Sequence, residues 1–262
     1  ICLQNYKHFC LFYLFFLIFL DFLLYHKSSE VDMKRFFGSR KNDLIYIEGE
    51  EYNHLKNVLR LNIGDVVLVS LNDEYQYSCE ITKFEKGKAV CKIIGKEECV
   101  GNPQKNIVIF QAITKRPKFE FIVQKATEVG VTKIVPFVSD YVIAKMTENK
   151  MDRLQSIALN ACKQCERTIM PIIDETKIVD DVLASIKDFD VVLFANERTD
   201  KGEKIKDLSK YKNIGIIVGS EGGFSQKEKE AFIKAGAVSI SLGRRIYRCE
   251  TASVAMMSLV SI

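Results

Sequence analysis

The chain has 262 residues, of which 47% are apolar and 27% are charged. This is the balance of an ordinary globular protein, and the length fits one large domain or a small domain beside a mid-sized one. The composition excludes a disordered chain, a collagen-like chain and a small disulfide-rich protein. The formal net charge of +4 permits a polyanionic partner such as nucleic acid but does not require one.

Residues 1–32 differ from the rest of the chain because they contain an unbroken apolar run from Phe9 to Leu20. The run is shorter than the roughly 20 residues of a membrane-spanning helix, and no small-residue cleavage site of a signal peptide follows it. Well-patterned sequence begins at Met33. We therefore expect residues 1–32 to be an upstream extension outside the mature protein, with a membrane anchor as the alternative, and no membrane association for the body of the protein.

The eight cysteines do not suggest a metal site. Cys162 and Cys165 have the spacing of half a zinc site, but no second Cys or His pair completes it, and His54 is the only histidine after residue 32. In a helical pattern this spacing places both cysteines on one face, so we interpret them as small buried residues. The cysteine usage is typical of a reducing compartment, and we expect a cytoplasmic protein without a metal.

Short strand signals follow one another between residues 33 and 97. Asp65–Leu71 and Tyr75–Phe84 mix β-branched and aromatic residues and are separated by a turn signal. Lys88–Ile94 follows after a further turn, and a short helical pattern around Leu55 precedes all three. The sequence therefore predicts a small β-rich domain over residues 33–97, which we interpret as a barrel. Glu97–Gln104 has the composition of a linker.

Strand and helix signals alternate over residues 106–262, which we interpret as a second domain. The alternation implies a mostly parallel sheet that is covered by helices on both faces. The strand signals are Ile107–Thr114, Lys133–Val138, Asp190–Ala195, Ile214–Val218 and Val238–Leu242. The helical signals are Lys118–Val129, Glu148–Arg167, Val179–Ile186, a short helix between residues 195 and 214, Gln226–Ala235 and a final helix from Glu250.

A glycine-rich turn, Ser220–Phe224, lies directly before a predicted helix. Ser225 and Glu228 have the spacing of a capping box, which places the turn at the carboxyl end of a strand, where open α/β sheets bind ligands. The turn lacks the pattern of a phosphate-binding loop and of a dinucleotide fingerprint. Its glycines permit close approach of a ligand, and Glu221 can accept hydrogen bonds from ligand hydroxyl or amino groups. The alternative is a tight turn with Glu221 in solvent.

Two C-terminal segments resemble a known family: Gly-Ser-Glu-Gly-Gly-Phe-Ser at 219–225 and Leu-Gly-x-Arg-Ile-x-Arg-x-Glu-Thr-Ala at 242–252. They are similar to the RsmE family, S-adenosylmethionine-dependent methyltransferases of the SPOUT superfamily that modify uridine N3 in bacterial small-subunit ribosomal RNA. Gln124–Val131 and Ala161-x-x-Gln164-x-x-Arg167 resemble further motifs of this family, as do Met33–Phe37 and His54–Arg60. The resemblance covers residues 33–262.

The resemblance implies a fold and partners that composition alone does not. The expected fold is a SPOUT-type α/β domain with a C-terminal trefoil knot, preceded by a small PUA-like β-barrel domain. The expected partners are S-adenosyl-L-methionine, 16S rRNA in the small ribosomal subunit and a second copy of the chain, with no DNA. The alternatives are a SPOUT RNA methyltransferase with another target nucleotide and a non-catalytic RNA-binding protein.

The resemblance also maps a cofactor site onto three segments of this chain. The chain departs from the usual family pattern at Ser220, Tyr247 and Cys249, where Pro, Leu and Thr are usual, and these departures concern the shape of the pocket. The expected cofactor-binding residues are Phe194, Ala195, Asn196, Gly219, Ser220, Glu221, Gly222, Gly223, Leu242, Gly243, Arg245, Ile246, Arg248, Thr251 and Ala252.

Arg248 and Glu250 are the candidate catalytic residues. Uridine N3 carries a proton at neutral pH, so its methylation needs a general base or a cation that stabilises the developing anion. Arg248 can stabilise charge on a uracil oxygen or bind phosphate, and Glu250 can act as the base or orient Arg248. The alternative for Glu250 is a carboxylate at a helix N-terminus, stabilised by the helix dipole. The expected RNA-binding residues are Arg35, Arg60, Arg116 and Arg167.

Overall fold

The computed structural model describes residues 33–144, 146–196 and 207–261. The expected upstream extension and most of the segment predicted as a short helix after Ala195 therefore lie outside the described residues. The chain divides into two compact units. The first contains the described residues through Phe36, together with Arg40–Val69 and Ser78–Gly95. The second contains Phe37–Ser39, Ser70–Tyr77 and the described residues from Lys96 onward. None of the helices in the described ranges has the length and apolar character needed to cross a membrane.

The N-terminal part of the chain forms a six-stranded sheet in the order β1-β4-β5-β6-β3-β2. The buried side chains of Phe36, Ile45, Ile47 and Ile81 form its core. A short helix, α1 (Gly49–Asn53), continues as a π-helical turn over His54–Val58. The strands are β1 (Arg35–Phe37), β2 (Ser39–Lys41), β3 (Leu44–Glu48), β4 (Val66–Ser70), β5 (Tyr75–Glu85) and β6 (Lys88–Glu98).

The second unit is built on a parallel sheet with the strand order β10-β8-β7-β12-β11-β13, and β9 pairs with β8. The pairs between neighbouring strands are parallel throughout the described part, as the alternation of strand and helix signals predicts. The strands are β7 (Asn106–Ala112), β8 (Lys133–Val138), β9 (Ile172–Ile173), β10 (Lys177–Ile178), β11 (Val191–Ala195), β12 (Asn213–Val218) and β13 (Val238–Ile240).

Helices cover both faces of this sheet and bury two separate apolar cores. One core contains Ile109, Ile134 and Met256, and the other is rich in phenylalanine, including Phe137 and Phe232. The helices are α2 (Arg116–Glu128), α3 (Glu148–Gln164), α4 (Val179–Ser185) with a 3₁₀ turn over Ile186–Asp188, α5 (Gln226–Lys234) and α6 (Cys249–Ser261).

The helix ends follow the local signals in the sequence. Ser225 Oγ accepts a hydrogen bond from the Glu228 main-chain nitrogen at 3.3 Å, and the Glu228 carboxylate accepts one from the Ser225 main-chain nitrogen at 2.8 Å. This is the capping box that starts α5. Gly130 follows α2 with a φ of +89°, the left-handed conformation that Gly adopts at helix ends. Cys162 is buried and Cys165 half-buried, both as free thiols.

Candidate functional site

Three neighbouring parallel strands end at one cavity of about 370 Å³. The last residues of these strands, Ala195 of β11, Val218 of β12 and Ile240 of β13, lie on its wall. The first turn of α6 closes another side through Cys249 and Ala252. The carboxyl edge of a parallel sheet is the usual place for a ligand in an open α/β fold, because the loops that leave the strands converge there.

Most of the expected cofactor-binding residues lie on the wall of this cavity. The exceptions are Phe194 and Thr251. Phe194 is fully buried in the core, where its ring packs against Phe224 and Phe232 at centroid distances of 6.3 and 5.8 Å. The expected cofactor-binding residues that line the cavity are Ala195, Asn196, Gly219, Ser220, Glu221, Gly222, Gly223, Leu242, Gly243, Arg245, Ile246, Arg248 and Ala252.

The glycine-rich turn is held in a conformation that leaves little room for a side chain at Gly219 and Gly222. The Gly223 main-chain nitrogen donates to the Ser220 carbonyl at 3.0 Å, and Gly223 has a φ of +69°. A Cβ on Gly219 would lie 3.1 Å from the Gly223 Cα, and a Cβ on Gly222 would lie 2.9 Å from the Tyr141 Cβ. Close contact therefore disfavours a side chain at 219 and more strongly at 222, whereas the left-handed backbone favours glycine at 223.

A buried polar network joins this turn to the strand and helix beside it. Gln111, fully buried at the end of β7, donates from Nε2 to the carbonyl oxygens of Gly219 at 3.2 Å and Ala112 at 3.0 Å. Its Oε1 accepts a hydrogen bond from Ser253 Oγ of α6 at 2.6 Å. Because buried amide groups are costly unless they are paired, this network fixes the position of the turn relative to β7 and α6.

Lys118, in the first turn of α2, connects the two loops that carry the family motifs. Its Nζ lies 3.3 Å from Glu221 Oε1 and 3.6 Å from Glu250 Oε2, and the side chain lines the cavity. The Lys115 main-chain nitrogen also donates to Glu221 Oε1 at 3.4 Å. A single cation thus holds two carboxylates from separate segments at one side of the cavity.

These contacts keep the carboxylates ionised. Partial burial raises the pKa of Glu221, but hydrogen bonds from the main chain and from Lys118 outweigh burial and leave the pKa below its usual value. The pKa of Glu250 is likewise lowered, although its partial burial acts to raise it. The lowering comes from main-chain hydrogen bonds, from the hydrogen bond of the Cys249 thiol, and from the charges of Lys118 and Arg248. A carboxylate with a lowered pKa is a weaker base than an unperturbed one, so Glu250 is not tuned for proton abstraction at neutral pH.

Cys249 is a neutral thiol beside this carboxylate. Burial, followed by the neighbouring Glu250, raises the pKa of Cys249 to about 12. Its Sγ lies 3.1 Å from Glu250 Oε2 and donates a hydrogen bond to it.

Arg248, in contrast, is exposed on the cavity wall. Arg245 lines the same wall and is also exposed, and each of the two side chains carries a planar fork of donors suited to an oxyanion or a phosphate.

Two family descriptions match this chain over separate segments. The RNA methyltransferase domain matches residues 101–261, and the RNA methyltransferase PUA domain matches residues 47–94. The Ribosomal RNA small subunit methyltransferase E of Mesomycoplasma hyopneumoniae is 34% identical over 86% of this chain and 98% of its own length. The protein of that name from Bacillus subtilis is 30% identical over 82% of this chain and 88% of its own length.

The chain belongs to the RsmE family. This confirms the family that the sequence motifs indicate. A solved structure supports the fold: the Ribosomal RNA small subunit methyltransferase E of Neisseria gonorrhoeae, bound to S-adenosyl methionine, superposes with a TM-score of 0.79 at 26% identity, covering 87% of this chain and 96% of that chain. The mixed α/β fold with an N-terminal PUA-like domain is therefore the RsmE fold.

The expected RNA-binding residues of this RsmE chain occupy different environments. Arg60 is exposed with a φ of +55°, and Arg35 is half-buried. Arg116 is exposed and forms an ion pair with Glu120 at 2.7 Å. Arg167 does not fit the expectation: it is 3% exposed, and its Nη1 donates to the carbonyl oxygens of Thr127 at 2.7 Å and Val131 at 3.0 Å. Arg167 therefore secures the turn after α2 from inside the domain, a buried position that differs from the exposed one expected of a phosphate contact.

Several residues of the cavity wall were missed by reasoning from the sequence. Lys118 is the most informative, because its role depends on two carboxylates more than 100 positions away in the chain. The only local signal was its place in the first helical turn after β7. Phe224, Lys229, Tyr247 and Cys249 also line the cavity, and the last two are positions at which the chain departs from the usual family pattern.

Proposed function

We propose that this RsmE chain transfers a methyl group from S-adenosylmethionine to N3 of a uridine in 16S rRNA of the small ribosomal subunit. The observation that carries the proposal is the convergence of both C-terminal family segments on one cavity at the carboxyl edge of the parallel sheet. The proteins that resemble this chain over most of its length are named as methyltransferases of small-subunit ribosomal RNA.

The cavity fits a methyl donor of this size and chemistry. Its volume of about 370 Å³ lies within the range of small-ligand sites. Gly219 and Gly222 let the turn pack closely at the cavity wall, and Glu221 offers a carboxylate for ribose hydroxyl groups. The segment from Leu242 to Ile246 supplies main-chain groups and apolar surface for the adenine. S-adenosylmethionine supplies an electrophilic methyl group on a sulfonium.

The remaining chemistry belongs to residues of this chain. The uracil N3–H bond breaks first, with its proton passing to solvent water, and the negative charge spreads over the uracil carbonyl oxygens O2 and O4. The N3–methyl bond then forms as the bond between that methyl group and the sulfonium breaks, which leaves a neutral thioether. Arg248 is placed to stabilise this charge with its forked donors. Glu250, held ionised by Lys118 and hydrogen-bonded to Cys249, orients the cationic side chains, and its lowered pKa argues against a role as the base.

The finer architecture is part of the proposal. The domain boundaries are 33–97 for the PUA-like domain and 106–262 for the methyltransferase domain, and residues 1–32 are an extension that the activity does not need. The C-terminal segment forms a trefoil knot, as the family resemblance implies. The enzyme works as a homodimer in the cytoplasm, as the family resemblance implies.

Single-turnover methylation of purified small ribosomal subunits tests this function. The protein and labelled S-adenosylmethionine are mixed with subunits that lack the modification, and the modified nucleoside is identified after digestion of the 16S rRNA. Label in N3-methyluridine supports the proposal. Label in another nucleoside would assign a different target, and binding without transfer would make the chain an RNA-binding protein.

A further inference from the structure

A second depression, separate from the cofactor cavity, lies between α2 and α3 in the methyltransferase unit. We call it the α2–α3 groove, and it has a volume of about 500 Å³. Its lining residues are Gln124, Lys125, Glu128, Arg153, Ile157, Asn160, Ala161 and Gln164. None of them lines the cofactor cavity, so the groove is a distinct surface feature.

The groove presents three side-chain amides above an apolar floor. Ile157 and Ala161 lie one helical turn apart on α3 and supply the floor. Gln124, Asn160 and Gln164 are exposed, and their amide groups form no hydrogen bond with the described part of the chain. An amide carries both donors and an acceptor, so three of them around an apolar surface match a planar ligand with a polar edge.

Two cations lie at the groove, each near a carboxylate. Arg153 Nε lies 3.8 Å from Glu120 Oε1, and Lys125 Nζ lies 2.8 Å from Glu128 Oε1. The Arg153 side chain is still 56% exposed. The guanidinium is therefore accessible from solvent and can contact a phosphate through its forked donors.

The groove also lies in line with the cofactor cavity along α2. Lys118 lines the cavity and Lys125 lines the groove, seven residues farther along the same helix. Seven residues are nearly two turns, so both side chains leave the same face of α2, separated by about 10 Å along its axis. A nucleic acid strand that delivers a base to the cavity can therefore extend over the groove.

We propose that the α2–α3 groove binds an unstacked nucleotide of the rRNA that flanks the target uridine. The base lies on Ile157 and Ala161, the amides of Asn160 and Gln164 hydrogen-bond its edge, and Arg153 contacts the adjoining phosphate. Sequence-specific recognition of RNA uses unstacked bases read along their polar edges, and Asn and Gln are well suited to such contacts. The proposal rests on rRNA being the substrate of this enzyme.

A second copy of the chain is a less suitable occupant. The centre of a homodimer interface is depleted in charged residues and enriched in apolar ones. The α2–α3 groove instead combines two cations, a carboxylate and three amides with a small apolar floor. The polar character of this lining matches nucleic acid interfaces, and the exposed Arg153 supplies a cation for phosphate.

The test compares Gln164→Glu with Gln155→Glu in steady-state methylation of small ribosomal subunits. Both residues are exposed on α3, and nine positions separate them, so Gln155 points away from the groove. Gln164→Glu should raise the KM for subunits by about 5- to 100-fold, the range of one well-placed base contact. The kcat and the affinity for S-adenosylmethionine should not change, and Gln155→Glu should behave as the wild type.

Two further measurements separate recognition from structure. Arg153→Ala should lower the slope of log affinity against log salt concentration by about 1, as expected for one lost phosphate contact. Asn160→Ala combined with Gln164→Ala should abolish any dependence of KM on the identity of the bases beside the target uridine. Circular dichroism melts of each variant report whether the fold is retained.

The outcomes are distinguishable. A rise in KM confined to the groove variants, with kcat unchanged and base preference lost, supports the groove as a nucleotide site. Equal KM for Gln164→Glu and Gln155→Glu overturns it and leaves the methyltransferase function intact. A changed monomer–dimer equilibrium of Gln164→Glu in sedimentation, with KM unchanged, also overturns it in favour of a contact between copies. A wild-type protein that does not methylate subunits refutes the function itself.

Discussion

Replacement of Gly222 by alanine should displace the glycine-rich turn and weaken cofactor binding. The added Cβ would lie 2.9 Å from the Tyr141 Cβ and 3.4 Å from the Tyr141 Cγ. Apolar carbons pack best at about 3.5–4.0 Å, so the two segments must separate by roughly 0.6–1.1 Å. Neither Cβ can move independently of its main chain, and the contact is therefore relieved only by a shift of the backbone.

The expected loss follows from the cost of such a shift. Overpacking that moves the backbone costs about 1–3 kcal/mol. Cofactor binding must restore the original position of the turn, so the same free energy is lost from binding, which corresponds to about 5- to 150-fold in affinity. Gly222→Val, with a larger side chain, should lose at least as much. The reason is close contact and not a left-handed backbone, because the positive φ belongs to Gly223.

Titration calorimetry with S-adenosylmethionine measures this loss, and urea unfolding measures stability. The control is the same substitution in a Tyr141→Gly background, where the opposing Cβ is absent. In that background Gly222→Ala should have little effect on affinity, so the double-mutant cycle should show a coupling of about 1 kcal/mol or more. Wild-type affinity of the single variant, or an equal loss in both backgrounds, would refute this reasoning.

Further predictions concern charged residues and the start of the chain. Arg248→Ala should reduce the rate of single-turnover methylation by about 10²–10³-fold, while the affinity for S-adenosylmethionine stays within a few-fold of wild type. Arg248→Lys should restore only part of the rate. A near-normal rate for the Ala variant would remove Arg248 from the active site. Lys118→Met should reduce the loss of folding stability at acid pH. The lowered pKa of Glu221 stabilises the folded protein above pH 4.5, the ordinary pKa of the group, and this stabilisation is lost as the pH falls. Identical curves of stability against pH for the variant and the wild type would contradict this prediction. Arg167→Met should lower the melting temperature without changing the salt dependence of RNA binding, whereas a smaller salt slope would restore Arg167 as an RNA contact. A chain that begins at Met33 should methylate subunits at the full-length rate, and loss of activity would assign a role to residues 1–32.

Local patterns in the sequence were sufficient to predict the elements that place the site. The capping box at Ser225 and Glu228 fixed the start of α5, and therefore placed the glycine-rich turn at the end of β12. Alternating strand and helix signals predicted a parallel sheet with helices on both faces, because each signal depends on residues close together in the chain. Predicted boundaries differ from the structure by a few residues, as for α3, which ends at Gln164 and not at Arg167.

What the sequence did not predict depends on contacts between distant segments. Arg167 has the residue type of a phosphate contact, but its burial against the carbonyl oxygens of Thr127 and Val131 follows from how α3 packs on α2. Phe194 adjoins a motif that lines the cavity, yet the alternation of side chains along β11 turns it into the core. The ion pairs of Lys118 require two loops to meet, which no local pattern encodes.

The most direct test of the central claim is mass spectrometry of 16S rRNA after incubation of purified protein with unmethylated small ribosomal subunits and S-adenosylmethionine. The account predicts one methylated uridine with the mass and chromatographic position of N3-methyluridine. It also predicts strongly reduced methylation when Arg248 is replaced by alanine. An RNA that gains no methyl group, or gains it on another nucleoside, would contradict the proposed reaction.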